Sequence, residues 1–278
     1  MRISPASSQR LIVALLWLLT AATIAVLLFI IVFILYNGLP HVTWDFLTQS
    51  PRKMGREGGV FPMIVGTLMV TGLAVLIAGP IGVVTAVYLT EYTREGLLTS
   101  IIRFGADCLA GIPSIIFGLF GFVFFAITLR LGLSVLSGAL TLALMVLPTI
   151  IRTTEEAIRA VPRSYREVSY GVGSTRWQMV THVVLRCALP GIATGIVLSI
   201  GRSISETAAV MLTAGYALRL PHSVFDSSRT LALHFYVLAR EGISMPNAYA
   251  TASVLIVAIL VINLVVYWLM RRFVTRAV

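Results

Sequence analysis

The sequence predicts an all-α membrane protein built as a single polytopic domain, residues 1–278, with six transmembrane helices. The composition is the first reason, since 58% of the residues are hydrophobic, only 12% are charged, and the mean hydropathy is +0.95. A water-soluble domain of this length does not need so many apolar residues. The second reason is that most of the 21 basic residues occupy short gaps between long apolar runs. This distribution orients a membrane protein, so the net charge of +10 does not indicate a nucleic-acid partner.

Six apolar runs are long enough to cross the hydrocarbon core of a bilayer. The first run follows Arg2 and Arg10 and therefore begins like a secretory signal peptide. Its length of about 25 residues exceeds that of a signal-peptide core and suits a tilted span, so we expect it to remain as an anchor. The predicted spans are residues 11–35, 63–89, 104–129, 133–151, 188–214 and 248–270.

The basic residues are divided unequally between the two sides that these spans define. With the N-terminus in the cytoplasm, thirteen basic residues fall on the cytoplasmic side and seven on the opposite side, while Arg202 lies within a span. Short loops that are richer in Arg and Lys usually stay inside the cell. Because an even number of spans returns the chain to its starting side, we expect both termini in the cytoplasm.

The connection between the fourth and fifth predicted spans, residues 152–187, is longer than a simple connector and has the periodicity of short amphipathic helices. Thr154 is suited to cap a helix that begins at Glu155, a residue type favoured in the first helical turn. A second helix is predicted to end at the glycine turn around Gly173. A third helix, with Ser174 as its cap, follows directly. Such a segment predicts a binding surface for another molecule.

Several phrases of the sequence resemble one known family. Within residues 152–187, Glu167-Val168-Ser169, Gly173 and Leu185 follow the spacing of the EAA loop of bacterial ABC importer permeases. Both alanines of that loop, its isoleucine and its proline are replaced in this chain. Four longer phrases are similar, in their order, to those of the PstA family, the permease subunits of phosphate-specific ABC importers: residues 58–62, 109–114, 151–157 and 201–208.

This resemblance covers nearly the whole chain and is weakest in the first span and in residues 216–247. It implies the fold of a type I ABC importer permease in a bacterial cytoplasmic membrane and the import of inorganic phosphate. It also implies three kinds of partner: a PstC-like second permease, a dimer of PstB-like ATPases, and a PstS-like phosphate-binding protein.

In that family the EAA loop forms a coupling helix seated in a groove of the ATPase. The resemblance therefore assigns a coupling role to the 152–187 segment. A physical alternative is an amphipathic helix that lies on anionic membrane lipids, since six arginines occur in this segment. The residues assigned to ATPase coupling are Glu167, Gly173, Arg163, Arg166, Ser169 and Arg176.

Two opposite charges occur inside the fifth predicted span. Arg202 and Glu206 are four residues apart, which places them on one helical face and predicts an ion pair. A charge at this depth costs about 2.5–3.5 kcal/mol on insertion scales, so both side chains should face protein or water. We expect a substrate path in which Arg202 binds an oxyanion, Glu206 orients Arg202, and Ser205 and Thr207 offer hydroxyl groups. A purely structural ion pair to a neighbouring span is the alternative.

Arg152 and Glu155 are candidates for a second polar gate, at the cytoplasmic end of the fourth span. Their alternative interpretation is simpler, because Arg is common at inner helix ends and Glu in first helical turns. Asp107, near the start of the third span, is either the partner of an arginine or a residue at the membrane interface. The sequence does not decide between these two.

The sequence has no phosphate-binding loop of the G-x-x-x-x-G-K-[S/T] type, so ATP hydrolysis is expected on a partner. We predict no catalytic residue, no cofactor and no metal site, because the four histidines and two cysteines lack metal-ligand spacing. The histidines are expected to be solvated or locally hydrogen-bonded. Two other functions stay open: a permease for another oxyanion, such as sulfate or phosphonate, and a membrane scaffold or enzyme whose basic loop binds lipid headgroups.

Overall fold

The computed structural model describes residues 5–274, and most of this range is helical. Arg2 and Arg276, which contribute to the predicted cytoplasmic charge, lie outside the described residues. Two short strands, β1 (Pro51–Arg52) and β2 (Glu57–Gly58), pair antiparallel. The helices are α1 (Pro5–Gly38), α2 (Trp44–Thr48), α3 (Phe61–Val87), α4 (Leu97–Gly111), α5 (Ser114–Gly121), α6 (Val135–Arg159), α7 (Arg163–Gly171), α8 (Arg176–Met179), α9 (Leu185–Ile204), α10 (Ala208–Thr213), α11 (Leu231–Arg240) and α12 (Met245–Val274).

Three of these helices continue through a π-helical turn. The turn Tyr88–Tyr92 extends α3, Phe122–Thr128 extends α5, and Val180–Val184 joins α8 to α9. The predicted all-α membrane fold is confirmed, since five helices of the described range are long and apolar enough to cross a bilayer. These are Ile12–His41, Phe61–Tyr92, Val135–Arg159, Arg176–Ile204 and Met245–Trp268.

The third predicted span, residues 104–129, is not one straight helix. Instead, α4 and the α5 segment meet at an angle of 102°, and the pair makes a sixth crossing only if it is counted as one bent span. The cause is Pro113, because proline has no N–H and disfavours the helical conformation at the residue before it. Ile112 is accordingly extended, with ψ at 133°.

The core lies where α3, α5, α6 and α10 meet, and small residues allow the close approach. Gly82 of α3 faces Ile150 of α6, so closely that a β-carbon on Gly82 would lie 2.7 Å from Ile150 Cγ2. By contrast, α1 packs against α12, and most of its described side chains are exposed. The exposed part of α1 is an apolar surface of the kind that faces lipid.

The fourth membrane helix extends further than predicted. The span was expected to end at residue 151, with a new helix after Thr154, but α6 continues to Arg159. Thr154 is therefore wrong as a helix cap and lies buried within α6. No glycine or proline interrupts the helix in this region, and it ends only before Pro162.

The cap of the third helix predicted within residues 152–187 is also displaced by one residue. Thr175, not Ser174, caps α8, and it forms a capping box with Gln178. Ser174 instead donates from its hydroxyl to the Ser169 carbonyl oxygen at 2.6 Å. Because α8 continues into α9 through the π turn, the fifth membrane helix begins well before residue 188.

The β1–β2 hairpin packs against α11 and α12. Asn247 donates from Nδ2 to the Gly55 carbonyl oxygen at 3.0 Å, which fastens the β1–β2 hairpin to α12. His234 of α11 packs beside Gly55 and is 1% exposed, so it is not solvated, and its Nδ1 lies 3.4 Å from Arg229 Nη1, which is the local hydrogen bond expected as the alternative. Burial, followed by the charge of Arg229, lowers the pKa of His234 to about 3. His234 is therefore neutral in the folded protein.

Gly82 and Gly72 of α3 provide a matched test of this packing. We expect Gly82→Ala to lower the stability by about 1–3 kcal/mol, because the new methyl group overpacks the contact with Ile150. At Gly72, no atom of the described residues lies within 4 Å of the position that a β-carbon would take. Gly72→Ala should therefore leave stability unchanged or raise it through its helix propensity. The thermal midpoints of the two purified variants in detergent check this, and equal midpoints would contradict the tight α3–α6 packing.

Candidate functional site

The fifth predicted span breaks at the residues for which an ion pair was predicted. Helix α9 ends at Ile204 and α10 begins at Ala208, so residues 205–207 form a non-helical break, here called the α9–α10 break. Non-helical backbone at membrane depth is tolerated only where it is buried in protein or lines a water-filled cavity. The predicted single span 188–214 is therefore wrong, and the break places irregular backbone beside the candidate path.

Side chains of the α9–α10 break bond to the ends of both helices. Ser205 donates from Oγ to the carbonyl oxygens of Gly201 and Arg202, both at 3.1 Å. The Glu206 carboxylate accepts from the Ala209 N–H at 3.3 Å, which caps α10. Thr207 precedes the first residue of α10. Ser205 and Glu206 are thus engaged with local backbone.

Arg202 is half-buried on α9 and does not pair with Glu206. Among the described residues, the Arg202 guanidinium forms no ion pair and no hydrogen bond. The prediction of an ion pair is wrong because the helix ends between the two residues, which removes the i, i+4 geometry. The guanidinium donors of Arg202 are consequently available to an anion.

The two candidate gate residues also do not bind each other. Arg152 Nη2 binds Asp107 Oδ1 of α4, and Glu155 Oε1 accepts from Arg103 Nε of α4 at 3.3 Å. We call these two contacts the α4–α6 ion pairs. They resolve the question left open for Asp107, which is the partner of an arginine. The Arg103–Glu155 pair is the more buried of the two, since the Glu155 side chain is 5% exposed and that of Asp107 is 49% exposed.

The residues predicted to couple to an ATPase divide into exposed and buried groups. Arg163 and Glu167 on α7 and Arg176 on α8 are exposed. Ser169 is buried, and its hydroxyl lies 2.6 Å from the Ser174 hydroxyl. Gly173 has φ at +83°, the left-handed conformation that favours glycine. The predicted glycine turn between α7 and α8 is thus present, and Ser169 holds it from inside.

Several large apolar side chains on this helix pair are exposed. Val172 is 80% exposed and Val168 67%, although neither lies on a membrane helix. Such a cluster outside the bilayer typically marks a protein-binding or membrane-binding surface. The members are Tyr165, Val168, Tyr170, Val172 and Trp177.

Arg166 differs from the other coupling candidates because it is anchored inside the protein. Its Nη2 lies 2.7 Å from Glu91 Oε1, in the π turn that extends α3. Arg166 also donates to the carbonyl oxygens of Val161 at 2.8 Å and Ile158 at 3.0 Å. Glu91, which precedes Arg166 by 75 positions, was not among the predicted site residues. The available signal was an acidic residue in the short connection between the second and third predicted spans, residues 90–103.

The fold and this site define a class, that of membrane permease subunits with a short helix pair between two membrane helices. The chain belongs to the family of binding-protein-dependent transport system inner membrane components, which matches residues 78–278. The predicted family is confirmed, and with it the prediction of a transport subunit in place of an enzyme.

Relatives within this family share about a third of the sequence. The probable ABC transporter permease protein YqgI of Bacillus subtilis is 32% identical over 269 residues, which cover 91% of each chain. The phosphate transport system permease protein PstA 1 of Mycobacterium tuberculosis is 38% identical over 210 residues, which cover 74% of this chain and 69% of that protein.

Two solved transporters share the fold. A bacterial alginate ABC transporter in complex with its alginate-bound periplasmic protein has a TM-score of 0.67 at 17% identity, covering 93% of this chain and 95% of that one. The inward-facing MetNI methionine ABC transporter has a TM-score of 0.59 at 20% identity, covering 77% of this chain and 93% of that one. These likenesses concern the fold and confirm the predicted permease architecture.

The α4–α6 ion pairs allow a comparison of a buried and an exposed carboxylate. Glu155→Gln should lower stability by about 1.5–3 kcal/mol, because Arg103 loses its buried charged acceptor. Asp107→Asn should cost about 0–1 kcal/mol, since the Arg152 pair is half-exposed. Thermal unfolding of the purified variants measures both. A larger loss for Asp107→Asn would mean that the Arg152 pair holds α4 in place.

Proposed function

We propose that this chain is a membrane subunit through which an ATP-driven importer moves inorganic phosphate into the cytoplasm. The observation that carries the proposal is half-buried Arg202 beside the α9–α10 break, whose guanidinium pairs with no side chain that the structure describes. The phosphate-transport names of relatives such as PstA 1 support the choice of anion. Arg202 is a suitable residue because a guanidinium donates two parallel hydrogen bonds to phosphate oxygens.

A single arginine is also suited to release the anion again. Transport requires that each site bind strongly enough to admit the ion and weakly enough to let it leave. Ser205 and Glu206 are engaged with helix ends, so they leave Arg202 as the principal donor at this level. At the cytoplasmic end, Arg152 is half-exposed and bound to Asp107, and an arriving phosphate can compete with that carboxylate. Glu155 contributes indirectly by holding α4 against α6.

The proposed complex contains four further components. A PstC-like second permease encloses the path, one of two PstB-like ATPases binds the α7–α8 helix pair, and a PstS-like protein delivers phosphate on the opposite side. Exposed Arg163, Glu167 and Arg176 offer charges to the ATPase, while the exposed apolar side chains nearby supply contact area. In this arrangement both termini lie in the cytoplasm of a bacterial cell.

Arg202→Ala tests the substrate path. Phosphate uptake is measured in cells whose own permease is deleted and which express the native chain or a variant at equal membrane abundance. We expect the variant to lower uptake about tenfold to a hundredfold, since a hydrogen bond to a charged group contributes about 1.5–3 kcal/mol. Arg202→Lys should retain part of the uptake because it keeps the charge and loses the planar fork.

Arg186→Ala is the matched control, because Arg186 is an exposed arginine on the same helix. It should leave uptake unchanged. Full uptake by Arg202→Ala would remove Arg202 from the path. Phosphate uptake measured with excess sulfate or phosphonate identifies the anion, since a guanidinium binds all three oxyanions. If one of the two competitors strongly inhibited phosphate uptake, that anion would replace phosphate in the proposal.

Gly173→Asp tests the coupling turn. A non-glycine residue at φ of +83° is strained by about 1–3 kcal/mol, so the α7–α8 angle should change. We expect uptake to fall strongly at normal membrane abundance. Gly171→Asp introduces the same side chain two residues earlier, at a glycine without a positive φ. If both variants transported equally well, the left-handed turn would have no part in coupling.

A further inference from the structure

The α7–α8 helix pair is joined to three membrane helices, but only two of them are its neighbours in the chain. Helix α7 follows α6, and α8 continues into α9. Helix α3 is distant in sequence, yet its terminal π turn, Tyr88–Tyr92, contacts both α7 and α8 through side chains. This third connection has no covalent basis and depends on side-chain contacts.

Two polar contacts form the connection. Glu91 Oε1 accepts from Arg166 at two nitrogen atoms, Nη2 at 2.7 Å and Nε at 3.1 Å. The Arg176 guanidinium lies over the ring of the neighbouring Tyr92, 5.3 Å from its centroid. One π turn therefore presents a carboxylate to α7 and an aromatic ring to α8.

The Glu91–Arg166 contact is as buried as the Arg103–Glu155 pair and differs from the other ion pairs of the described residues in its number of bonds. Glu91 is 8% exposed, whereas Glu95, four positions later, has a side chain that is 82% exposed. Arg166 uses its remaining donors on the last carbonyl oxygens of α6 and the adjoining turn, at Ile158 and Val161. A fork with this many bonds fixes the orientation of α7 relative to both α3 and α6.

The π turn explains how Glu91 reaches Arg166. A π turn adds one residue to a helical turn and so changes the direction in which the following side chains point. The irregular end is bonded locally, since Thr90 donates to the Ala86 carbonyl oxygen at 2.7 Å and Thr93 to that of Tyr88 at 3.0 Å. The backbone around Glu91 is thus held without help from α7.

We infer that Glu91 and Arg166 act as a strut that transmits movement of the α7–α8 helix pair into α3. This inference rests on the proposed function and names a positioning residue, Glu91, that the family resemblance does not assign. Helix α3 packs along α6 and also contacts α9, which carries Arg202. A displacement of the cytoplasmic end of α3 therefore changes the packing around the helix that bears the proposed anion donor.

Glu91→Gln tests the strut in the complete importer, reconstituted into vesicles with its partner subunits. Glutamine keeps the size of the side chain and removes the charge, so α7 should stay in place while its hold on α3 weakens. We expect phosphate uptake to fall about tenfold, in the range of typical coupling energies. ATP hydrolysis should stay within about twofold of the native rate, so more ATP is consumed for each phosphate.

The control is Glu95→Gln, which makes the same change at an exposed carboxylate close by. It should leave the ratio of ATP to phosphate unchanged. A double-mutant cycle adds a second readout: Glu91→Gln combined with Arg166→Gln should be no worse than Arg166→Gln alone, because the strut is already broken. If uptake and hydrolysis fell in proportion, or if Glu91→Gln released the ATPase from the complex, the inference would be overturned.

A substrate-independent measurement separates this inference from the proposed function. Spin labels are attached at Leu76→Cys on α3 and Leu198→Cys on α9, two exposed positions, after Cys108 and Cys187 are replaced by serine. ATP should change the label distance in the otherwise native complex and not in Glu91→Gln. An unchanged response in Glu91→Gln refutes the strut even if phosphate is the substrate. A lost response combined with uptake of another anion supports the strut and refutes phosphate.

Discussion

The bilayer forbids unsatisfied backbone groups, and this constraint decides what each helix break of this protein requires. Hydrocarbon offers no water to bond with a free N–H or carbonyl oxygen, so each break needs a local solution. At the α9–α10 break the solution is made of side chains, since Ser205 bonds to carbonyl oxygens of α9 and Glu206 to an N–H of α10. At Ile112 and Pro113 one backbone group fewer needs a hydrogen-bond partner, because proline has no N–H.

Charges inside and beside the membrane obey a related rule, since a buried ion needs a partner. Arg103, Arg152 and Arg166 each bind a carboxylate on another segment of the chain. Arg202 has no such partner among the described residues. This guanidinium beside a helix break, with its donors unused, is the observation on which the proposed anion site rests.

The parts of the fold that depend on local sequence were predictable, and those that depend on distant contacts were not. The apolar runs located the membrane helices, and the glycines located the turn at Gly173, because length and backbone freedom are local properties. The break after Ile204 was missed because Arg202 and Glu206 have the spacing of a helical ion pair, and no glycine or proline separates them. Pro113 was a local signal of the bend between α4 and α5. The span 104–129 was predicted from hydropathy, which does not register a bend.

The candidate site shows the same division. Arg152 and Glu155 were proposed as a polar gate, and their ion-pair partners lie on α4, 45 and 52 positions away. Glu91 was not identified for the same reason. Sequence spacing indicates which residues share a helical face, but it contains no information on which face of another helix they meet.

The proposed coupling of the α7–α8 helix pair to Arg202 rests on the continuity of one helix. The residues Arg176–Ile204 form one continuous apolar helix with α8 at its start and Arg202 near its end. At 1.5 Å per residue, its 29 residues give a length of about 43 Å, enough to cross a bilayer. In the proposed mechanism, movement of α8 would therefore move the helix that carries Arg202. The chain joins α7 to α6, and the Glu91–Arg166 ion pair joins α7 to α3. A displacement of α7 would therefore reach both α6 and α3.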